Sequence, residues 1–445
     1  MFKNKKIFIL GMARSGYEAA KLLVSDNTVL VTDKKEQELS KVEELENLGV
    51  VVKIIDDPIN LLDETYDYVI KNPGIKLDHP IVVKAQELKI PVINEVEVAY
   101  HFLPKVRIIG ITGSNGKTTT TTLTYEILKQ ANLPVHLGGN IGYPLCSLVN
   151  KSKDGDILVL EISGHQLHDC YDFKTDIGVM TNLSEVHIDH FGSYENYKYN
   201  KSLIFRHHTS NEIAILNAEN KDVLEVTKDI ESKKYYFSSK EDSDACIRDN
   251  AIYIHNEKII DIEDIKIKGV HNYENIMCAL LVAKEFNVSN DVIKKVLTTF
   301  NGVEHRIEFV KNVKGRDFYN DSKASNVKST QIALNTFKNP TVLLLGGLDR
   351  GHSFDGLKDY LVNTKAIVCY GETKERIKNF ADSIGIDCYV VDNLIDATKK
   401  AYEVSSEGDT ILLSPACASW DQFDNFEIRG NQFKEVVNSL WVKRI

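Results

Sequence analysis

Eight consecutive residues, Thr112-Gly113-Ser114-Asn115-Gly116-Lys117-Thr118-Thr119, carry the sharpest chemical signal in the chain. Their two glycines free the backbone to turn N–H groups onto phosphate oxygens. Lys117 then sets a cation at the β and γ phosphates, and Thr118 offers a hydroxyl to Mg²⁺. The full G-x-x-x-x-G-K-[ST] pattern fails at one position, because Ile111 stands where its first glycine belongs. The shorter G-x-x-G-K-T core remains and reads as an ATP site. A purely structural glycine loop has no use for the Lys and Thr that follow it.

Acids and bases cluster downstream. The apolar run Ile157–Leu160 ends in Glu161-Ile162-Ser163. An acid at the C-terminal end of a strand, following a phosphate loop, is placed to hold Mg²⁺ directly or through water. Glu185, His187, Asp189 and His190 lie beyond the next strand end, where sites form in α/β sheets. The segment Tyr194–Lys201 then brings two lysines, Lys198 and Lys201. Each reads equally as a phosphate partner or a solvated charge, and composition does not choose between them.

A second glycine turn opens the chain. Gly11-Met12-Ala13-Arg14-Ser15-Gly16 follows the strand-like Lys6–Leu10 and precedes a helical pattern. It approximates G-x-G-x-x-G with Ala13 in place of the second glycine. The free N–H groups and dipole of the following helix suit a diphosphate. Asp33 falls about 20 residues on, where an acid meets a ribose hydroxyl. A dinucleotide site and a nucleotide-sugar site both fit, as does a turn that binds nothing. Ala13 and the ATP loop speak against a nicotinamide-dependent oxidoreductase.

These residues need strand ends and helix starts to hold them. Near-continuous apolar runs at Lys6–Leu10, Val29–Thr32, Tyr68–Ile70, Arg107–Ile111, Ile157–Glu161, Ile177–Thr181, Thr341–Leu345, Ala366–Tyr370 and Thr410–Leu413 read as strands buried on both faces. Helical patterns such as Tyr17–Val24, Thr119–Gln130 and Ala397–Val404 alternate with them, the βαβ signature of parallel sheets. The pattern restarts near Asn94 and near Gly302. The expected organisation is three α/β domains: 1–94, Rossmann-like; 95–302, a phosphate-loop ATPase-type parallel sheet; and 303–445, Rossmann-like. Short alternating runs within 231–268 suggest a small antiparallel insertion in the middle domain.

Composition sets the outer limits. A chain of 445 residues with 43% hydrophobic and 27% charged content reads as an ordinary globular protein. Its formal net charge of -10 argues against a nucleic-acid partner. The seven cysteines are scattered, with no C-x-x-C pair, and read as reduced thiols. No apolar run approaches the ~18 residues of a membrane helix, and Ile7–Leu10 is too short for a signal peptide. A cytoplasmic protein with no membrane partner is expected.

The ordered set of motifs resembles the Mur ligases, ATP-dependent enzymes that form amide bonds in peptidoglycan precursor synthesis. The resemblance runs through the loop at 112–119, Gly138-Gly139-Asn140-Ile141-Gly142, Glu161-Ile162-Ser163, the Asn182–His190 segment, His271-Asn272-Tyr273-Glu274-Asn275, His305-Arg306 and Asn320–Asn326. It covers essentially the whole chain. Asn72-Pro73-Gly74-Ile75, Leu345–Gly351 and Ser414–Phe423 resemble the branch that joins D-glutamate to UDP-N-acetylmuramoyl-L-alanine. Another ligase of the family, or a regulatory protein with a degenerate ATPase core, is the alternative.

The resemblance implies roles. ATP phosphorylates the terminal alanine carboxylate, and the amine of D-glutamate displaces phosphate from the acyl phosphate. Gly113, Ser114, Asn115, Gly116, Lys117, Thr118 and Thr119 would bind ATP, with Asn275, Arg306 and Asp321 at base, ribose and hinge. Thr118 and Glu161 would hold Mg²⁺, with His187 and Lys201 at a second Mg²⁺. Lys201 matches the position that is carbamylated in this family, and Lys323 one near the phosphates; with Lys117 and His187 these form the catalytic set. Met12, Ala13, Asp33, Lys34, Gly74, Asn140 and His187 would bind the UDP-sugar. Ser325, Arg350, Ser414 and Phe423 would bind D-glutamate. The usual Glu-x-Ser-Ser-Phe-Gln-Leu is here Glu161-Ile162-Ser163-Gly164-His165-Gln166-Leu167, which puts packing near the metal in question. A monomer acting on small molecules is expected.

Overall fold

A computed structural model describes residues 2–185 and 191–440. It divides into two compact units, one of 1–266 with 270–299 and one of 300–445 with 267–269. Among the described residues the strands form three sheets, of five, nine and six strands.

The five-stranded sheet runs Val51–Ile54, Thr28–Asp33, Lys6–Leu10, Tyr68–Lys71, Val92–Ile93 and is parallel throughout. Successive side chains of a strand face opposite ways, so one strand feeds two cores. Ile7 and Ile9 enter one apolar cluster with Val29 and Val31, whereas Phe8 and Leu10 enter another with Leu30 and Val69. That is why Lys6–Leu10 is apolar at almost every position. The strand order reverses direction beside Lys6–Leu10, which places the Gly11 turn at a crevice of the sort where α/β sheets bind ligands.

The nine-stranded sheet belongs to the same unit. Its parallel heart is Ile213–Asn217, Ile177–Met180, Arg107–Thr112, Ile157–Glu161 and Val135–Gly139. The small antiparallel part expected within 231–268 is present and continues this sheet. Lys233–Ser238 pairs parallel to Ile213–Asn217 and Ala245–Arg248 parallel to Lys233–Ser238; Ala251–Ile254 and Glu257–Asp261 then extend the sheet outward in antiparallel pairs. Within this unit the two sheets share a core, since Ile7, Leu23 and Val96 lie in one cluster with Leu145, Leu158 and Leu160. Asn94 stands at the junction. Its Oδ1 accepts from Val96 N at 2.8 Å to cap the helix Glu95–Tyr100. Lys71, at a strand end of the first sheet, reaches Asp169 with its ammonium 2.6 Å from the carboxylate; both side chains are almost wholly buried.

The second unit carries the sheet Glu308–Val313, Arg316–Asn320, Thr410–Leu413, Thr341–Gly346, Thr364–Tyr370, Asp387–Val390. Thr410–Leu413, Thr341–Gly346 and Thr364–Tyr370 pair parallel as expected, and Asp387–Val390 joins them parallel at the edge. The edge hairpin Glu308–Val313 with Arg316–Asn320 is antiparallel, and neither of its strands was among those named from the pattern; the first shows why. That strand is half-buried and lacks an apolar run. Here too, alternate residues part: Leu343 and Leu345 face one cluster, Val342 and Leu344 the other.

Candidate active site

The phosphate loop leaves the central strand Arg107–Thr112 and enters the helix Lys117–Gln130. Gly113 sits at φ 142° and Gly116 at φ 81°, both disfavoured for residues with a side chain. A Cβ on Gly113 would lie 2.0 Å from Thr181 Oγ1, and one on Gly116 2.1 Å from Asn275 Oδ1. The turn is braced from the neighbouring strand end. Asn182 O accepts from Ser114 N at 2.8 Å, and Asn182 Oδ1 accepts from Asn115 N at 2.9 Å. Ser114 Oγ lies 2.8 Å from Tyr197 Oη. Lys117 curls over the loop, donating through Nζ to Gly113 O at 2.9 Å and Ser114 O at 3.0 Å. The cation is thus held against the loop's own carbonyls. Thr118 is buried in the first turn of the helix.

Beside the loop lies a buried carboxylate. Glu161 ends the strand Ile157–Glu161, its Oε1 accepting from Asn140 Nδ2 at 2.7 Å. Its Oε2 is buried and finds no hydrogen-bond partner among the described residues. A buried carboxylate oxygen left this way favours a cation. The structure also separates the two lysines. Lys198 pairs outward, 2.9 Å from Glu195 and 3.0 Å from Glu225. Lys201 is 3% exposed, donates to Thr112 Oγ1 at 3.3 Å and lies 5.3 Å from the Tyr197 ring centroid. Burial, with the positive charge of Lys117, pushes its ammonium well below the usual lysine range; Glu161 opposes this. Burial pushes Tyr197 up to about 12. His187 falls within 186–190, outside the described residues.

The unusual Gly164-His165 pair leaves the architecture intact. Ser163 and Gln166 form a reciprocal capping box at the start of the helix Gly164–His168. His165 packs its ring on Phe191 at 4.9 Å, and a Cβ on Gly164 would meet that ring at 3.4 Å, an ordinary contact.

At the first glycine turn, Asp33 is already engaged. Its Oδ2 accepts from Met12 N at 2.7 Å and its Oδ1 from Lys35 N at 2.9 Å. Met12 turns its side chain into the core, so only its backbone faces the turn. Ala13, Lys34 and Gly74 are exposed. Ala13 is the N-cap of the helix Arg14–Leu23 and supplies no side-chain cap, which leaves amides for an anion. Gly11, at φ 93°, could not carry a Cβ without striking Asn72 Nδ2 at 2.3 Å.

The second unit gathers another set. Asp321 is buried and accepts from Ser414 Oγ at 2.8 Å and Ile307 N at 3.2 Å. Burial pushes its carboxyl up to about 7, against the pull of Ser414 and Arg306. Arg306 Nε is buried without a hydrogen-bond partner among the described residues. Ser414 is fully buried, its hydroxyl also 3.0 Å from Thr330 Oγ1. It holds Asp321 and does not face solvent. Phe423 packs on the apolar cluster around Phe318 and Phe433. Ser325 and Arg350 are exposed. Arg350 stands over the Trp420 ring at 4.8 Å, and Lys323 Nζ lies 5.5 Å from the Phe426 ring.

Several contacts could not be read from the motifs, though some of their residues lie within them. Thr112, Tyr197 and Trp420 touch expected residues across long stretches of chain. Arg429 is fully buried, donating to Ser322 O at 2.8 Å and Cys417 O at 3.0 Å, and so ties the Asn320–Lys323 turn to the Ser414–Ser419 segment. The motif order around Ser414 is the signal that pointed closest to it.

Residues 111–283 match the family described as Mur ligase middle domain, and residues 305–417 that described as Mur ligase, glutamate ligase domain. A UDP-N-acetylmuramoylalanine–D-glutamate ligase of Bacillus cereus is 44% identical over 99% of this chain and 98% of its own. The chain belongs to the Mur ligase family. The corresponding ligase of Bacillus anthracis matches at the same 44% identity and coverage. Among solved structures, UDP-N-acetylmuramate-alanine ligase from Thermotoga maritima shares 18% identity with a TM-score of 0.61, covering 98% of this chain and 100% of that one. The MurF ligase of the same organism, solved with ADP, shares 17% identity with a TM-score of 0.59, covering 98% and 96%. These two establish the shared fold. As in an ATP-dependent Mur ligase, the loop glycines, the cation of Lys117 and the orphaned Glu161 oxygen fit a metal-bound nucleotide. Among the described residues no helix is long and apolar enough to cross a membrane.

Proposed function

We propose that this Mur ligase joins D-glutamate to UDP-N-acetylmuramoyl-L-alanine at the expense of ATP, in peptidoglycan precursor synthesis. Full-length likeness to relatives named for that reaction carries the reading. A carboxylate is a poor acyl donor, so its oxygen first takes the γ-phosphoryl group of ATP, releasing ADP. The amine of D-glutamate then attacks the acyl carbon, phosphate leaves with its bonding electrons, and the amine gives up a proton. Both steps gather negative charge, which cations must stabilise.

The loop at 113–119 cradles the phosphates, and Lys117 neutralises them. Glu161 and Thr118 would hold Mg²⁺, which supplies Lewis acidity toward phosphoryl oxygens. His187 and Lys201 would serve a second Mg²⁺. An ammonium at Lys201 would repel both that ion and Lys117, so we assign Lys201 as a carbamate, formed by its neutral amine on CO₂ with loss of a proton. Asn275, Arg306 and Asp321 would meet the nucleotide, and Lys323 the transferred phosphate. Met12, Ala13, Asp33, Lys34, Gly74 and Asn140 would receive the UDP-sugar. Ser325 and Arg350 would receive D-glutamate, with Ser414 and Phe423 behind them. Domains 1–94, 95–302 and 303–445 would thus take the sugar nucleotide, ATP and amino acid in turn.

The test is ADP release with UDP-N-acetylmuramoyl-L-alanine, ATP, Mg²⁺ and a panel of amino acids. Turnover with D-glutamate is expected. Turnover with L-lysine or diaminopimelate instead would overturn the assignment. Lys201→Ala should lose at least about a hundredfold in kcat, the scale of a lost charge-stabilising group. Short carboxylic acids should restore part of it, and an unimpaired alanine variant would remove the carbamate.

A further inference from the structure

The seven cysteines divide six to one by exposure: Cys388 is half-buried, and the others are buried. Cys388 lies on the edge strand Asp387–Val390, opposite Ile367 of the strand Thr364–Tyr370. Cys369, two residues beyond Ile367, therefore points to the same face of the sheet. Its Sγ lies 3.5 Å from Cys388 Sγ. Two sulfurs in contact, one reachable from outside, form a dithiol.

We propose that Cys369 and Cys388 are a reversible oxidation site for hydrogen peroxide, closing to a disulfide. Cys388 sulfur attacks the peroxide; the O–O bond breaks, the S–O bond forms, and water leaves with the thiol proton. Cys369 sulfur then attacks the sulfenic sulfur; the S–S bond forms and the S–O bond breaks. The hydroxide departs as a second water, carrying the Cys369 proton. Two thiols are oxidised, one peroxide is reduced, and two waters result.

The surroundings favour this order. The hydrogen bond from Cys369 and the charge of Lys378 hold the Cys388 thiol below its ordinary range. The disulfide bond length of about 2.05 Å requires the sulfurs to approach by about 1.5 Å. Asp387–Val390 has a neighbour on one side only, so it can move to meet that need. The consequence reaches the Gly347–Arg350 loop. Cys369 Sγ lies 3.4 Å from Lys374 O, beside Thr373, whose hydroxyl accepts from Gly347 N at 3.2 Å.

The experiment is to expose the intact protein to hydrogen peroxide, alkylate it while folded, and map its peptides without reduction. Peptides holding Cys369 and Cys388 should emerge joined, with the other five thiols intact, and dithiothreitol should separate them. Cys369→Ser should leave a sulfenic acid on Cys388 that dimedone traps. Oxidation of wild-type Cys388 to a sulfinic acid without a link, or two thiols that stay reduced, would overturn the proposal. The mapping reads bonds rather than turnover, so its result stands apart from the assigned reaction.

Discussion

Glu95 shows how one side chain can tie stability to pH. It is buried at the first turn of Glu95–Tyr100, with Oε1 accepting from Cys146 N at 2.7 Å. Burial raises its carboxyl from 4.5 to about 7. Between these values the folded protein binds a proton that the unfolded chain has released. Its stabilising contribution is therefore complete below the unfolded value and is lost as pH rises through 7. The difference corresponds to about 3 kcal/mol. Glu95→Gln should flatten that slope, raising the melting temperature at pH 8 while changing it little at pH 4. Thermal melts across that range check it; an unchanged slope would place the linkage elsewhere.

At the scale of elements, the loop and its helix act as one part. Gly116→Ala would force a side chain into a φ of 81° and against Asn275. A cost of more than about 1 kcal/mol in stability is expected, since the native conformation does not admit alanine. ATP affinity should fall at least tenfold, read by titration calorimetry; unchanged affinity would mean that the helix Val270–Glu285 yields. The Lys71–Asp169 pair is another element-scale joint. Lys71→Met would leave Asp169 buried beside His168, whose Nδ1 is 2.7 Å from its other oxygen. A loss of about 3 kcal/mol is expected in a denaturant melt, because a buried charge loses its partner.

These elements also explain what could be read in advance. The phosphate loop was legible because glycine, lysine and threonine act within a few residues of one another. The strands Lys6–Leu10, Ile157–Glu161 and Thr410–Leu413 were legible because burial on both faces leaves a continuous apolar run. Lys233–Ser238, with its lysines and tyrosines, hid because it is half-exposed. The choice between Lys198 and Lys201 came from the family resemblance and was not legible in composition. It depends on Thr112 and Tyr197 on one side and Glu225 on the other, which only the folded chain brings close. Arg429 escaped for the same reason, as a buried charge whose partners, Ser322 and Cys417, lie more than 10 residues away.

Across the whole molecule, the anion sites lie on different sheets. The Gly11 turn belongs to the five-stranded sheet and the phosphate loop to the nine-stranded one. Lys117→Ala should thus abolish turnover while leaving UDP-sugar affinity within about twofold, as expected for distant independent sites. Calorimetry with the sugar nucleotide tests this. A large loss of its binding would show that Lys117 is coupled to the sugar site, through Asn140 and its hydrogen bond to Glu161. The net charge of -10 does not oppose this arrangement. Charges beyond about 8 Å are largely screened at physiological salt, so local cations decide.

The stacking of Arg350 on Trp420 also gives the protein an optical handle. The chain has two tryptophans, and Trp420 is 62% exposed, with a guanidinium over its face. A carboxylate that draws Arg350 away would uncover the indole to water and shift its emission to the red. In a Trp441→Phe background, D-glutamate should change that emission saturably. A silent signal at saturating D-glutamate would mean that Arg350 stays on its ring when the amino acid binds.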